Sequence, residues 1–155
     1  MSPALTREQK QLDLYVLSHY LSTPKYSVNL RDAIQEIDAA MENQTTFAEC
    51  LFDVIAKKHL SDVEVYKKAR IDRRIFSKIR TQKDYMPSKK TVLALAIALQ
   101  QNPYEASKLL SCAGYSLSNA RKEDLVVEYF LARRCFDMDL INEALTHYGF
   151  STLGE

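Results

Sequence analysis

Residues 61–81 read SDVEVYKKARIDRRIFSKIRT, and they carry the signals for two short helices joined by a tight turn. Ser61 and Glu64 have the spacing of a capping box, in which each side chain accepts a hydrogen bond from the backbone of the other residue. This motif predicts a helix of about eight residues, Asp62 to Ala69. Such a helix is too short to be stable alone, because isolated helices of fewer than about 12 residues need tertiary packing.

The second helix of the pair is basic on its free face. Asp72 has the cap position and the helix extends to about Thr81, with Ile75, Phe76 and Ile79 facing inward. The outward-facing residues are Arg73, Arg74, Ser77, Lys78 and Arg80. Two short helices joined by about three residues form the helix-turn-helix pattern.

Helical signals continue along the rest of the chain. Only three glycines and four prolines occur, while strong helix formers such as Leu, Ala, Lys and Glu are frequent. Capping residues mark the starts of further helices at Thr6, Asn29, Thr46, Ser88 and Asn102. We therefore predict an all-α fold in which every element is helical.

The order of the elements predicts three parts. Residues 1–44 form an N-terminal two-helix segment, and residues 45–120 form the helix-turn-helix domain. Residues 121–155 form a C-terminal helical pair that packs on the bundle. No low-complexity linker divides these parts.

Catalytic and metal-binding motifs do not stand out. The three histidines are isolated, and the chain contains no Gly-rich phosphate loop, G-x-S-x-G or H-E-x-x-H motif. Cys50, Cys112 and Cys135 are far apart and share no C-x-x-C spacing, so we expect small buried side chains rather than disulfides or zinc ligands. We predict a protein that is not an enzyme and uses no metal or cofactor.

The N-terminal sequence lacks the unbroken apolar core of a signal peptide. No apolar run approaches the roughly 18 residues that a membrane-spanning helix needs. We therefore expect a cytoplasmic protein that does not enter a membrane.

The cations of the chain are concentrated in residues 67–90, which we call the basic segment. This segment contains ten Lys or Arg residues and two carboxylates, a local charge of +8. Since the whole chain has 21 cations and 20 anions, the remainder has 11 and 18 and a charge of −7. Ordinary surfaces intersperse the two signs, whereas a segregated positive surface attracts polyanions.

The positions of these cations predict different roles at a nucleic acid. Arg73 and Arg74 lie in the first turn of the second helix, the part that reaches base edges in helix-turn-helix docking, where arginine can bond guanine bidentately. The cations that follow are better placed for phosphates, and Tyr85 is expected either to stack on a sugar or to pack within the protein. The predicted binding residues are Arg70, Arg73, Arg74, Ser77, Lys78, Arg80, Lys83, Tyr85, Lys89 and Lys90.

The stretch from Leu60 to Leu117 resembles the Cro/repressor (XRE) type of helix-turn-helix domain. The likeness rests on Ile71-Asp72-x-x-x-Phe76-Ser77-x-Ile79, on the Pro87-Ser88 helix entry, and on Leu93-x-x-Ala96-x-x-Leu99. The resemblance implies a five-helix bundle, including a helix at Phe47 to Lys58, with two extra N-terminal and two extra C-terminal helices. The same stretch is similar to C-terminal helical modules of some bacterial macro-domain proteins, which implies that such a module can be one part of a larger protein.

Three positions of the motif depart from the family pattern. Family members usually have Gln where this chain has Asp62, Ala where it has Tyr66, and Gly where it has Arg70. A carboxylate that faces a phosphate is repulsive, and Tyr66 must separate the helices or point elsewhere. Arg70 must adopt a left-handed conformation, at about 1 kcal/mol, or reshape the turn.

These features predict a protein that binds double-stranded DNA, a small bacterial or phage transcriptional regulator of the repressor or antitoxin type. The helix from Asp72 to about Thr81 is the predicted recognition helix. A homodimer is expected because one recognition helix covers a half-site, and the N-terminal or C-terminal helices offer surfaces for it or for a protein partner. The alternatives are an adaptor module of the same fold with lost or altered DNA reading, a binder of RNA or single strands, and a metal-independent nuclease.

Overall fold

A computed structural model describes residues 6–22 and 28–154 of the 155-residue chain. All regular secondary structure in these two ranges is helical, which confirms the all-α prediction. The outermost residues of the predicted parts, 1–5 and 155, lie outside the described residues. In chain order, the helices of the described residues are α1 (Arg7–Ser22), α2 (Leu30–Glu42), α3 (Phe47–Lys57), α4 (Asp62–Ala69), α5 (Arg73–Thr81), α6 (Lys89–Ala98), α7 (Pro103–Cys112), α8 (Lys122–Ala132) and α9 (Met138–His147).

The chain divides into two compact units, Met1–Gln44 and Thr45–Glu155. The first unit contains α1 and α2. Asn29 caps α2 by accepting a hydrogen bond from the backbone N–H of Arg31 at 2.8 Å. None of the residues of α2 is buried.

The second unit is built around α6, which is buried on all sides from Val92 onward. Every residue from Val92 to Leu99 is buried, and α6 packs against both α4 and α7. In addition α3 packs against α7, and α8 packs against α9 and α7. A helix that is apolar all round needs neighbours on all sides, so α6 fixes the positions of the helices that pack against it.

The C-terminal residues are attached to this same unit. Leu153 is buried, and its backbone N–H and C=O both bond to the side-chain amide of Asn142 in α9, at 2.8 Å and 3.0 Å. Gly154 has a positive φ of 70°, and a Cβ at this position would lie 2.8 Å from the Cβ of Arg70. Gly154 therefore lies against the turn that follows α4.

The expectation of three buried, unbonded cysteines is wrong, because two of them are bonded to each other and all three are half-buried. Cys50 in α3 and Cys112 at the end of α7 form a disulfide, with a Cα–Cα distance of 6.9 Å, while Cys135 is free. The two residues are 62 positions apart, so their spacing in the chain carries no signal of the pairing. The packing of α3 on α7 brings them together.

No helix within the described residues is long and apolar enough to cross a lipid bilayer.

Candidate nucleic-acid interface

The connection between α4 and α5 is a tight turn centred on Arg70. Arg70 has φ 56° and ψ 42°, the left-handed conformation that normally favours glycine. Its backbone N–H donates to the carbonyl of Lys67 at 3.1 Å, and the N–H of Ile71 donates to the carbonyl of Tyr66 at 3.0 Å. The turn thus keeps a glycine-like geometry with an arginine in it, at a conformational cost of about 1 kcal/mol.

The side chain of Arg70 reaches away from α5. Its Nη1 lies 2.7 Å from a carboxylate oxygen of Asp139, in the first turn of α9. This ion pair raises the pKa of Arg70 and holds the pKa of the Asp139 carboxyl below its ordinary value, in both cases mainly through the side-chain hydrogen bond. Arg70 therefore joins the motif to the C-terminal helical pair.

The carboxylate of Asp62 is neutralised by a cation of the motif itself. Nη2 of Arg80, in the last turn of α5, lies 2.6 Å and 2.7 Å from the two carboxylate oxygens of Asp62. The guanidinium carbon of Arg80 is also 3.9 Å from the centroid of the Phe52 ring. A phosphate approaching the start of α4 would therefore meet an ion pair rather than an isolated carboxylate.

Tyr66 fills space between the motif helices. It is half-buried, and its ring centroid is 5.7 Å from that of Phe76 in α5. Phe52 of α3 makes an edge-to-face contact with the same Phe76 ring, also at 5.7 Å. Three aromatic rings thus hold α3, α4 and α5 together, where the family pattern has a small residue.

The N-terminal end of α5 is capped and exposed. The carboxylate of Asp72 accepts hydrogen bonds from the backbone N–H of Arg74 at 2.7 Å and from its guanidinium at 3.1 Å and 3.3 Å. These bonds, mainly the one from the Arg74 side chain, lower the pKa of Asp72.

Arg73 and Ser77 are both exposed and lie one helical turn apart. The two residues therefore present a polar ridge along α5.

The C-terminal end of α5 leads into a loop with further cations. Nζ of Lys78 is 6.0 Å from the centroid of the Tyr85 ring, and Tyr85 is half-buried against the core. Lys83 in the loop and Lys90 in the first turn of α6 are exposed. Lys90 lines a small cleft together with Asp72, so the start of α6 lies beside the start of α5.

Lys89 occupies a different environment from its neighbour Lys90. Its Nζ lies 2.8 Å from the carboxylate of Asp124, which is only 1% exposed. The same carboxylate oxygen accepts a hydrogen bond from the backbone N–H of Ser118 at 2.8 Å. Lys89 therefore balances a buried charge between α6 and α8.

The basic segment thus falls into two groups. Four of its cations are bound by carboxylates: Arg70, Arg74, Arg80 and Lys89. Six cations form no ion pair with any residue in 6–22 or 28–154: Lys67, Lys68, Arg73, Lys78, Lys83 and Lys90. Lys67 and Lys68, in the last turn of α4, are exposed members of the basic segment that the predicted binding set omits. The sequence could have identified them, because the helix predicted from Asp62 to Ala69 ends directly after these two residues.

Comparison of the chain with protein-family models, with curated proteins and with solved structures found no match. Among the described residues, no group of three or more His, Cys, Asp or Glu side chains is arranged to hold a metal ion.

Proposed function

We propose that the protein binds double-stranded DNA through α5, as a small transcriptional regulator with a Cro/repressor-like arrangement of α3 to α7. The observation that carries this proposal is the division of α5 into two faces. Phe76 and Ile79 are buried, whereas Arg73, Ser77 and Lys78 are exposed. A short helix that is anchored by its apolar face and exposes cations from its first turn has the features that a recognition helix needs.

The surroundings of α5 support phosphate binding on both sides of it. Lys83 follows the helix and Lys90 lies beside its start, and both form no ion pair with described residues. Phosphate contacts position a protein on the duplex, while contacts to base edges specify the sequence. We assign Lys83 and Lys90 to phosphates and Arg73 to a base edge, where it can bond guanine bidentately.

The positions that depart from the family pattern are compatible with this proposal. Arg80 neutralises Asp62, Tyr66 packs on Phe76, and Arg70 adopts the left-handed turn. Each of the three residues therefore has a partner or a conformation that is compatible with a tight turn between α4 and α5. Four side chains of the predicted binding set are held by carboxylates, so we leave them out of the phosphate-binding set: Arg70, Arg74, Arg80 and Lys89.

An adaptor module of the same fold is the second candidate. The observation in its favour is an apolar groove between α8 and α9, in which Leu125 and Tyr129 are about half exposed. The guanidinium carbon of Arg133 lies 3.5 Å from the centroid of the Tyr129 ring at the edge of this groove. Such a surface suits a protein partner better than a duplex.

Selection of bound sequences from a random duplex library tests the DNA-binding proposal. In the wild-type protein we expect a preferred site, and Arg73→Ala should relax that preference at one or two positions. Lys90→Ala should weaken all sequences alike and leave the preference unchanged. Lys108→Ala on α7, which removes the same charge next to Tyr104, is the control and should do neither. If Arg73→Ala and Lys90→Ala have the same effect, base reading by α5 is wrong.

A further inference from the structure

Helix α2 exposes a continuous apolar stripe. Leu30, Ile34, Ile37 and Met41 follow each other at spacings of four, three and four residues, which places them on one face. Their exposed fractions are 75%, 49%, 60% and 63%, respectively. An isolated 13-residue helix is only marginally stable in water, so we expect another apolar surface to pack against this stripe.

The two flanks of the stripe differ in character. Arg31 and Asp38, seven residues apart, lie along one flank, whereas Ala33 and Ala40, also seven apart, lie along the other. Asp32 and Glu36 lie on the opposite side of the helix. One flank therefore carries a cation and an anion at fixed positions, and the other has side chains small enough for close approach of a second helix.

We propose that the α2 stripe binds the α2 stripe of a second copy of this chain, in an antiparallel pair with two-fold symmetry. Such a symmetric contact places Ile34 opposite Ile37 of the second copy, and Leu30 opposite its Met41. The dimer goes beyond the proposed DNA binding and does not depend on it.

The flanks select the antiparallel orientation. In an antiparallel pair each flank faces the same flank of the second copy. Arg31 of either copy therefore lies close to Asp38 of the other, and the alanines of the two copies meet on the opposite side. Two ion pairs then form by symmetry, and the helix dipoles oppose each other favourably. In a parallel pair the charged flank would meet Ala33 and Ala40, and neither ion pair would form.

The size of the contact predicts a weak dimer. A pair of helices of this length falls near or below the lower end of specific interfaces, roughly 1,200 Å² of total buried surface. We therefore expect a dissociation constant on the order of micromolar. Exposed ion pairs contribute modestly to affinity, but neither of them forms in a parallel pair, so they favour the antiparallel orientation.

Sedimentation velocity of the full chain, from about 1 to about 200 μM, tests the dimer. The wild-type protein should change from monomer to dimer across this range, and Ile37→Asp should remain monomeric throughout. Circular dichroism of each variant checks that the helical content is kept. A wild-type protein that stays monomeric at the highest concentration overturns the proposal.

Charge reversal tests the orientation. Arg31→Asp places two carboxylates opposite each other, and Asp38→Arg places two guanidinium groups opposite each other, so each should weaken the dimer about tenfold or more. The double variant should restore wild-type association, and a mixture of the two single variants should form a heterodimer. Glu36→Lys, on the opposite side of α2, is the control and should change the dissociation constant by less than about twofold.

Asp38→Arg reduces the net negative charge of α2 and would therefore strengthen any non-specific association. Weaker association of this variant thus supports the specific antiparallel contact. A dimer that tolerates both single reversals, or one that the double variant fails to restore, overturns the antiparallel pairing.

Discussion

The guanidinium group of Arg80 lies between the carboxylate of Asp62 and the ring of Phe52. Its Nη2 is 2.6 Å from Asp62 Oδ2, and its central carbon is 3.9 Å from the ring centroid. The two charged side chains are each about half exposed or less, so the ion pair contributes no more than about 1 kcal/mol to stability. Its larger effect is to remove one cation and one anion from the surface that we assign to DNA.

Asp62→Asn should strengthen binding to duplex DNA. The substitution releases Arg80 toward the phosphates and removes a carboxylate from the start of α4, so we expect affinity to rise several-fold at low salt. Fluorescence anisotropy with a labelled duplex measures the change. Asp53→Asn on α3, where Asp53 pairs with Lys57 at 2.9 Å, is the matched control and should change affinity by less than about twofold. Weaker binding by Asp62→Asn would show that Asp62 supports the interface instead.

Substitution of Lys89 should affect stability, whereas substitution of Lys90 should affect DNA binding. Lys89→Met leaves the buried Asp124 carboxylate without its cation, so we expect a loss of about 3 kcal/mol in the free energy of unfolding. Lys90→Met should leave stability within about 0.5 kcal/mol of wild type and weaken DNA binding. Urea unfolding and anisotropy on the same two variants give both quantities. Equal effects of the two substitutions on stability would contradict the assignment of Lys89 to the ion pair with Asp124.

The Asp139 ion pair should make stability depend on pH in the acid range. Because Arg70 lowers the pKa of Asp139 in the folded state, the stabilising effect is complete above the unfolded-state pKa of about 3.9 and is lost as the pH falls through the folded-state value. The wild type should therefore be more stable than Asp139→Asn at pH 7, and the difference should shrink below about pH 4. Urea unfolding of both proteins at several pH values measures this. A difference that stays constant down to about pH 2 would exclude the ion pair as its source.

The disulfide between Cys50 and Cys112 should stabilise the second unit. It closes a loop across 62 positions, and the chain-entropy model gives a stabilisation of about 4 kcal/mol for a loop of this length. Cys50→Ser with Cys112→Ser should lose most of this amount in urea unfolding without reductant. Cys135→Ser is the control and should retain it.

Thiol titration of the denatured, unreduced protein provides an independent measurement of the same bond. One reactive thiol, that of Cys135, is expected, and three would contradict the disulfide.

Several helices of the second unit were predictable because their starting signals are local. The capping boxes at Ser61 with Glu64 and at Asn102 with Glu105 form as their spacing predicts. Asp72 also caps α5 as predicted. Each of these bonds joins residues two or three positions apart, so the sequence alone places both partners within reach.

The candidate site was less predictable because its charges are set by distant partners. Arg80 meets a residue 18 positions away, and Lys89 meets one 35 positions away. Lys89 and Lys90 are adjacent in sequence and were assigned the same role, yet the helix turns their side chains toward different surroundings. Charge content could be counted from the sequence, but which cations remain exposed depends on the packing of α6 against its neighbours.

The salt dependence of binding to a random duplex tests the central proposal most directly. Six cations of the basic segment form no ion pair with described residues. If the five other than Arg73 meet phosphates, the logarithm of affinity should fall with the logarithm of salt concentration with a slope of about −4.5. Replacing Lys78, Lys83 and Lys90 together by Ala should reduce the magnitude of this slope by about 3. No binding at low salt, or a slope near zero, would contradict DNA binding through α5.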